Sequence, residues 1–213
     1  MKIDTGVILV AGRSSRFGGD DKNSWLIQYN INLLLSMKVK NIIIVTNESN
    51  YMFYYENFKN IAQIFIQDKN LYGPASPIIT IKDYLKQYDS PFYVILGDNY
   101  IEGPLVESLN EDEAFVSYRD LEYNEENLRL GYIDKDGKIL EKPHNYKEGR
   151  YFIGYMAFHN SCLENLESLK KSERGEYEIT EFYNSCKYKK VGLLDCNWFD
   201  ITKKEDLIKI KNI

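Results

Sequence analysis

Three short runs of almost unbroken aliphatic and aromatic residues limit what this chain can fold into: Val7-Ile8-Leu9-Val10, Ile42-Ile43-Ile44-Val45 and Tyr93-Val94-Ile95-Leu96. A strand with one wet face alternates apolar and polar residues, whereas a run without alternation belongs to a strand covered on both faces. Residues 7–11, 41–46, 61–67 and 92–96 therefore read as strands, and 26–37 and 77–88 as helices between them. That β-α-β-α order predicts a Rossmann-like α/β fold: a mostly parallel, doubly wound sheet with helices on both faces, three layers in all.

The second half reads differently. Residues 114–118 and 151–158 are strand-like, 131–140 is a hairpin turning at Asp136-Gly137, and 161–170 is helical. Residues 191–194 lead into Trp198-Phe199-Asp200, and 204–210 form a closing helix. With 213 residues and no repeat, low-complexity tract or linker, a single domain over 1–213 is expected.

The net charge is −5, with Lys and Arg scattered rather than striped, which argues against nucleic-acid or anionic-membrane partners. No stretch approaches the roughly 20 apolar residues of a membrane span. The early apolar run at 6–11 follows Asp4 and is followed at once by Arg13 and Arg16, unlike a signal peptide. Cys162, Cys186 and Cys196 lack metal-ligand spacing and read as reduced thiols of a cytoplasmic protein. Two histidines, His144 and His159, supply a zinc site or a Ser-His-Asp triad poorly.

The chemistry points to two acids. Asp98 follows the run at 93–96 in Leu96-Gly97-Asp98-Asn99, and Asp200 ends Trp198-Phe199-Asp200. A carboxylate delivered by a buried strand sits at the carboxyl edge of the sheet, where open α/β folds bind ligands. Two of them make a hard-oxygen site of the kind Mg²⁺ uses beside phosphates. The first strand runs into Gly12-Arg13-Ser14-Ser15-Arg16-Phe17-Gly18-Gly19-Asp20-Asp21-Lys22, a loop whose small residues let backbone N–H groups approach a polyphosphate. It is neither a Walker A loop nor a dinucleotide fingerprint, because Phe17 and Ser14 stand where those motifs need glycine.

This loop resembles the signature of nucleotidyltransferases, in a form similar to the molybdopterin-guanine dinucleotide branch. The rest of the chain resembles the sugar-1-phosphate branch, glucose-1-phosphate thymidylyltransferases in particular. That likeness rests on Leu96-Gly97-Asp98-Asn99, on Leu130-Gly131-Tyr132 with Leu140-Glu141-Lys142-Pro143, on Arg174-Gly175-Glu176-Tyr177-Glu178-Ile179-Thr180, and on Trp198-Phe199-Asp200. With the loop, these segments run in order across residues 7–200.

The resemblance implies an enzyme of nucleotide-sugar and polysaccharide biosynthesis. It would join an NTP (dTTP or UTP favoured, CTP possible) to a sugar 1-phosphate, giving a nucleotide sugar and pyrophosphate. Arg16 and Lys22 would neutralise the nucleotide phosphates, and Asp98 and Asp200 would hold Mg²⁺. Leu9, Ala11, Gly12, Ser14, Ser15, Gln67 and Gly73 would line the nucleotide pocket. Glu141 and Lys142 would bind the sugar and its phosphate, with Gly131 and Gly154 contacting the sugar through backbone. Arg16, Lys22, Asp98 and Lys142 form the expected catalytic set.

Such a reaction brings two anions together, so positioning and charge neutralisation carry it and no nucleophilic side chain is required. The segment after the loop is shorter than the family's, and Lys22 matches either the loop lysine or a later one. If it is the later one, a non-catalytic nucleotide-sugar-binding relative becomes the rival reading. A cytidylyltransferase for another small acceptor, such as phosphocholine, is the rival enzyme. Only residues 204–210 are read as a helix after Asp200, so nucleotide-sugar inhibition is expected to be product competition, without a second nucleotide site.

Overall fold

A computed structural model describes residues 1–12, 23–103, 105–122, 130–141, 148–194 and 197–211, without the side chains of residues 209 and 211. The strands β1 (Thr5–Val10), β2 (Asn41–Thr46), β3 (Gln63–Ile66) and β4 (Phe92–Leu96) form one half of a sheet. The others are β5 (Asn99–Glu102), β6 (Glu113–Leu121), β7 (Tyr132–Ile133), β8 (Ile139–Leu140), β9 (Gly149–Phe158), β10 (Tyr188–Leu193) and β11 (Asn197–Asp200). The order across the main sheet is β10-β6-β9-β4-β1-β2-β3, with the β7–β8 hairpin attached to β9. Pairs β1–β2, β1–β4, β2–β3 and β10–β6 are parallel, and β9 runs antiparallel to both neighbours. The sheet is thus mostly parallel, as the unbroken apolar runs predict.

Alternate residues of each central strand enter two different cores. Val7, Leu9, Ile43, Val45, Phe92 and Val94 pack with Ile78, Ile81, Leu85 and Phe182 on one face. Ile8, Val10, Ile42, Ile44, Tyr93 and Ile95 pack with Ile27, Ile31, Leu34, Tyr54 and Phe58 on the other. The second face is covered by α1 (Asn23–Ser36) and α2 (Tyr51–Phe58). Helix α1 buries Leu26, Ile27, Asn30, Ile31, Leu33 and Leu34, the three-and-four spacing of one helical stripe. The first face is covered by α3 (Ser76–Thr80), α4 (Lys82–Leu85) and α5 (Ile179–Ser185). A helix α6 (Leu207–Lys211) closes the described chain.

Three sequence expectations need correction. The single helix over 77–88 is two short ones, because Ile81 leaves helical geometry at ψ 12° within the run Ile78-Ile79-Thr80-Ile81, where β-branched side chains crowd the preceding turn. The segment over 161–170 is a 3₁₀ helix, Asn160–Glu167, rather than an α-helix. The closing helix begins as a 3₁₀ turn, Lys204–Asp206, in which Asp206 accepts from the backbone of Thr202 and Lys203. Among the described residues no helix is long and apolar enough to cross a membrane. Cys162 and Cys186 are buried and free, and Cys196 lies outside the described residues.

Candidate active site

Strand β1 occupies the middle of the sheet. From it the chain steps outward to β2 and β3, then returns to β4 on the other side of β1. The reversal makes the carboxyl ends of β1 and β4 a topological switch point, the position where open α/β sheets bind ligands. Leu9 pairs there with Leu96, and the Gly97 N–H donates to the Leu9 carbonyl at 2.9 Å. Ala11 and Gly12 leave β1 at this point, so the loop read as phosphate-binding starts at the switch point. Ser14, Ser15, Arg16 and Lys22 lie outside the described residues. The chain leaving β1 is held by Asn47, whose Nδ2 donates to the Ala11 carbonyl at 3.3 Å.

Asp98 stands on the opposite lip. Beyond it the chain forms β5, which pairs antiparallel with β11 in a separate two-stranded ribbon. Asn99 is opposite Asp200, and the Ile201 N–H donates to the Asp98 carbonyl at 2.9 Å. Two acids far apart in sequence are therefore backbone neighbours. The ribbon rests on α1 through Tyr100, whose ring meets that of Tyr29 edge-on at 5.2 Å, and through the cluster of Leu26, Tyr100, Ile201 and Ile210. As a donor set, two carboxylates borne on neighbouring backbone suit a hard divalent cation that completes its shell with phosphate and water oxygens. Among the described residues no cluster of three or more His, Cys, Asp or Glu assembles.

Gln67 and Gly73 sit past the end of β3. The Gln67 N–H donates to the Thr46 carbonyl at 2.7 Å, and its Nε2 to the Leu71 carbonyl at 3.0 Å, which folds the 68–71 turn back on the strand. Gly73 has φ +113°, and a Cβ there would stand 2.5 Å from the Tyr177 nitrogen. Only glycine tolerates both conditions. Around it the Tyr177 N–H donates to Tyr72 at 2.7 Å and Ala75 donates to Tyr177 at 2.8 Å. The turn read as base-binding is thereby stitched to the segment that carries Arg174 and Glu178.

That segment carries a charged network around Glu141, the residue read as sugar-binding. Glu141 follows β8; its carboxylate accepts from Thr180 Oγ1 at 3.1 Å and from Arg174 at 3.3 Å. Arg174 also donates to Glu178 at 2.9 Å and lies 3.6 Å from Glu176. Glu178 is only 2% exposed, and Ser172 Oγ donates to it at 2.8 Å. Burial works against the Arg174 charge, but Glu178, Glu141 and Glu176 together hold its pKa above the ordinary value. Beside this network lies a groove of about 860 Å³, lined in part by Lys138, Lys171, Ser172 and Asn184. Gly131 accepts from the Phe152 N–H at 2.8 Å, and Gly154, at φ +77° within β9, lies directly against the Asn99 amide. Lys142 lies outside the described residues.

The structure thus brings Leu9, Ala11, Gly12, Asp98 and Asp200 to one edge, with Gly154 reaching it through Asn99. It ties the turn around Gly73 by backbone to Tyr177, in the segment that carries Arg174 and Glu178, while Gln67 bonds to Thr46 and Leu71. Sequence reading assigned no role to Asn99, Trp198, Arg174 or Thr180, although each falls inside a motif it used.

An open, mostly parallel sheet with a switch point at β1 and β4, and with Asp98 and Asp200 on neighbouring backbone there, defines a doubly wound α/β protein. The sequence model of the nucleotidyl transferase family matches residues 19–213, and the chain belongs to that family. It is 32% identical to the bifunctional protein GlmU of Methanocaldococcus jannaschii over 159 residues, which cover 71% of this chain and 38% of that protein. It is 21% identical over 197 residues to the UTP–glucose-1-phosphate uridylyltransferase AglF of Haloferax volcanii, covering 82% of this chain and 80% of the relative. The fold superimposes on a UDP-glucose pyrophosphorylase solved with UDP-glucose at a TM-score of 0.78 and 18% identity, over 99% of this chain and 97% of the other. The chain spans less than half of the GlmU proteins it matches.

Proposed function

We propose that this chain is a sugar-phosphate nucleotidylyltransferase, joining an NTP, with UTP or dTTP preferred, to a sugar 1-phosphate and releasing pyrophosphate. The observation that carries the reading is the backbone adjacency of Asp98 and Asp200 at the β1–β4 switch point. The family supports the reaction class, and the name of the haloarchaeal relative supports UTP and a hexose 1-phosphate.

In this reading the acceptor phosphate attacks the α-phosphorus of the NTP in line, and the bond to the β-phosphate oxygen breaks. Asp98 and Asp200 would hold Mg²⁺, which when bound offsets negative charge on the phosphates. The chain's own part is placement. The turn at 68–73 would bound the base, Arg16 and Lys22 would meet the nucleotide phosphates, and Lys142 the acceptor phosphate. Glu141, aligned by Thr180 and Arg174, would accept sugar hydroxyls. No general base is needed, because a phosphate monoester is already largely ionised near neutral pH.

The test is a panel of the NTPs against sugar 1-phosphates, phosphocholine and inositol phosphate with Mg²⁺, read by pyrophosphate release and product mass. Turnover limited to UTP or dTTP with a hexose 1-phosphate is expected. Turnover only with CTP and a non-sugar acceptor would replace this reading with the cytidylyltransferase one. Nucleotide-sugar binding without any turnover would identify a non-catalytic relative.

A further inference from the structure

Asn99 joins the two acid-bearing strands through its side chain. Its Nδ2 donates to Asp98 Oδ1 at 2.9 Å, and its Oδ1 accepts from Trp198 Nε1 at 2.8 Å. The residue is 5% exposed. An indole N–H can only donate, so it obliges the amide to turn its oxygen toward Trp198. That leaves the amide nitrogen, a donor only, facing the Asp98 carboxylate. Gly154 closes the third side: a Cβ there would lie 2.5 Å from Asn99 Nδ2 and 2.8 Å from its Cγ. The chain therefore takes a left-handed residue inside a buried strand to make room for this amide. Trp198 lies on β11 two residues before Asp200, so the relay runs from the strand carrying one acid to the carboxylate of the other.

We propose that Asn99, oriented by Trp198 and seated against Gly154, is a positioning residue that sets the Asp98 carboxylate for cation binding with Asp200. The inference rests on the reading of Asp98 and Asp200 as a cation-holding pair. An amide donor on one carboxylate oxygen fixes the rotation of the group, as outer partners of metal ligands do elsewhere. Losing such a partner costs roughly 10- to 100-fold in metal affinity in other proteins.

The experiment titrates Mn²⁺ into substrate-free protein and follows the free-ion electron paramagnetic resonance signal. Wild type, Asp98→Asn, Asn99→Ala and Trp198→Phe are compared, with thermal unfolding of each. Trp198→Phe keeps the ring and removes only the N–H, so it tests the relay even if Asn99→Ala folds poorly. Mn²⁺ binding by wild type, its loss in Asp98→Asn, and weakening of about 10-fold or more in Trp198→Phe with near-native unfolding temperature is the expected result. Loss in Asp98→Asn with wild-type affinity, within twofold, in Trp198→Phe and Asn99→Ala would overturn the positioning role alone. Failure of wild type to bind Mn²⁺, or unchanged binding in Asp98→Asn, would overturn the cation-pair reading and this inference with it.

Discussion

The two halves of the site are held by different means. On the proposed nucleotide side, Leu9, Ala11 and Asp98 are placed mainly by backbone (strand ends, one N–H from Gly97 to Leu9, and the register of β5 against β11), with the Asn47 side chain on the Ala11 carbonyl and the Asn99 amide on the Asp98 carboxylate. On the proposed acceptor side, Glu141 is placed by side chains, through Arg174, Thr180 and the buried Glu178. A site edge built mainly from backbone tolerates a change such as Asp98→Asn without unfolding, because the strand pairing that shapes it does not run through that carboxylate. An edge built from a charged network couples recognition to stability, since removing one member leaves another buried without its partner.

Substitutions in the two halves should therefore separate activity from stability. The largest effect is expected for Asp98→Asn, which should lower kcat by about 10²- to 10³-fold, the cost of losing one preorganised electrostatic contact in a transition state. Its unfolding temperature should stay near that of wild type; steady-state kinetics beside calorimetry checks both. Arg174→Ala should do the reverse in part. Loss of a charge-assisted hydrogen bond to Glu178 predicts a destabilisation of about 1.5–3 kcal/mol together with a raised KM for the sugar phosphate. A stable Arg174→Ala variant with unchanged KM would erase the distinction between the halves.

Gly73→Ala probes the seam that joins them. A β-carbon at φ +113° and 2.5 Å from Tyr177 carries a strain of about 1–3 kcal/mol. Because Tyr72 and Ala75 bond to Tyr177, the displacement should raise KM for both substrates rather than for the NTP alone. An effect confined to the NTP would show that the seam transmits nothing.

The smallest effect lies away from the site, at Glu113 on β6. Burial raises its pKa, but hydrogen bonds from Asn110 and Lys190 outweigh that and hold it at about 2. A carboxyl depressed on folding contributes stability above its unfolded pKa, near the model-peptide glutamate value of about 4.3, and loses it as pH falls toward the folded value. Urea midpoints should fall between about pH 4.3 and 2 in wild type and fall less in Glu113→Gln. An equal fall in both would remove Glu113 from the acid response.

Much of the nucleotide half was legible in sequence. The runs at 42–45 and 93–96 carry no alternation because both cores need every residue, and that same burial marks where the strands end and Asp98 begins. Helix α2 escaped notice because Tyr51-Met52-Phe53-Tyr54-Tyr55 is apolar or aromatic at every position, and only Tyr54 and Phe58 turn inward. Strand β5 was invisible for another reason: its four residues, Asn-Tyr-Ile-Glu, follow a turn and gain a partner only from β11 at the far end of the chain. The relay through Asn99 and Trp198 depends on that long-range register, and the convergence of Glu141, Arg174 and Glu178 on the packing of β8 against α5. Motif order located these residues, but only tertiary pairing reveals which touches which.

The central claim is that Asp98 and Asp200 act as one unit at the switch point. A double-mutant cycle on kcat/KM with Asp98→Asn, Asp200→Asn and the double variant addresses it most directly, because groups that serve one cation lose their function together. The account predicts strong non-additivity, with the double variant about as impaired as the worse single one. Losses that multiply, as for two independent sites, would contradict it.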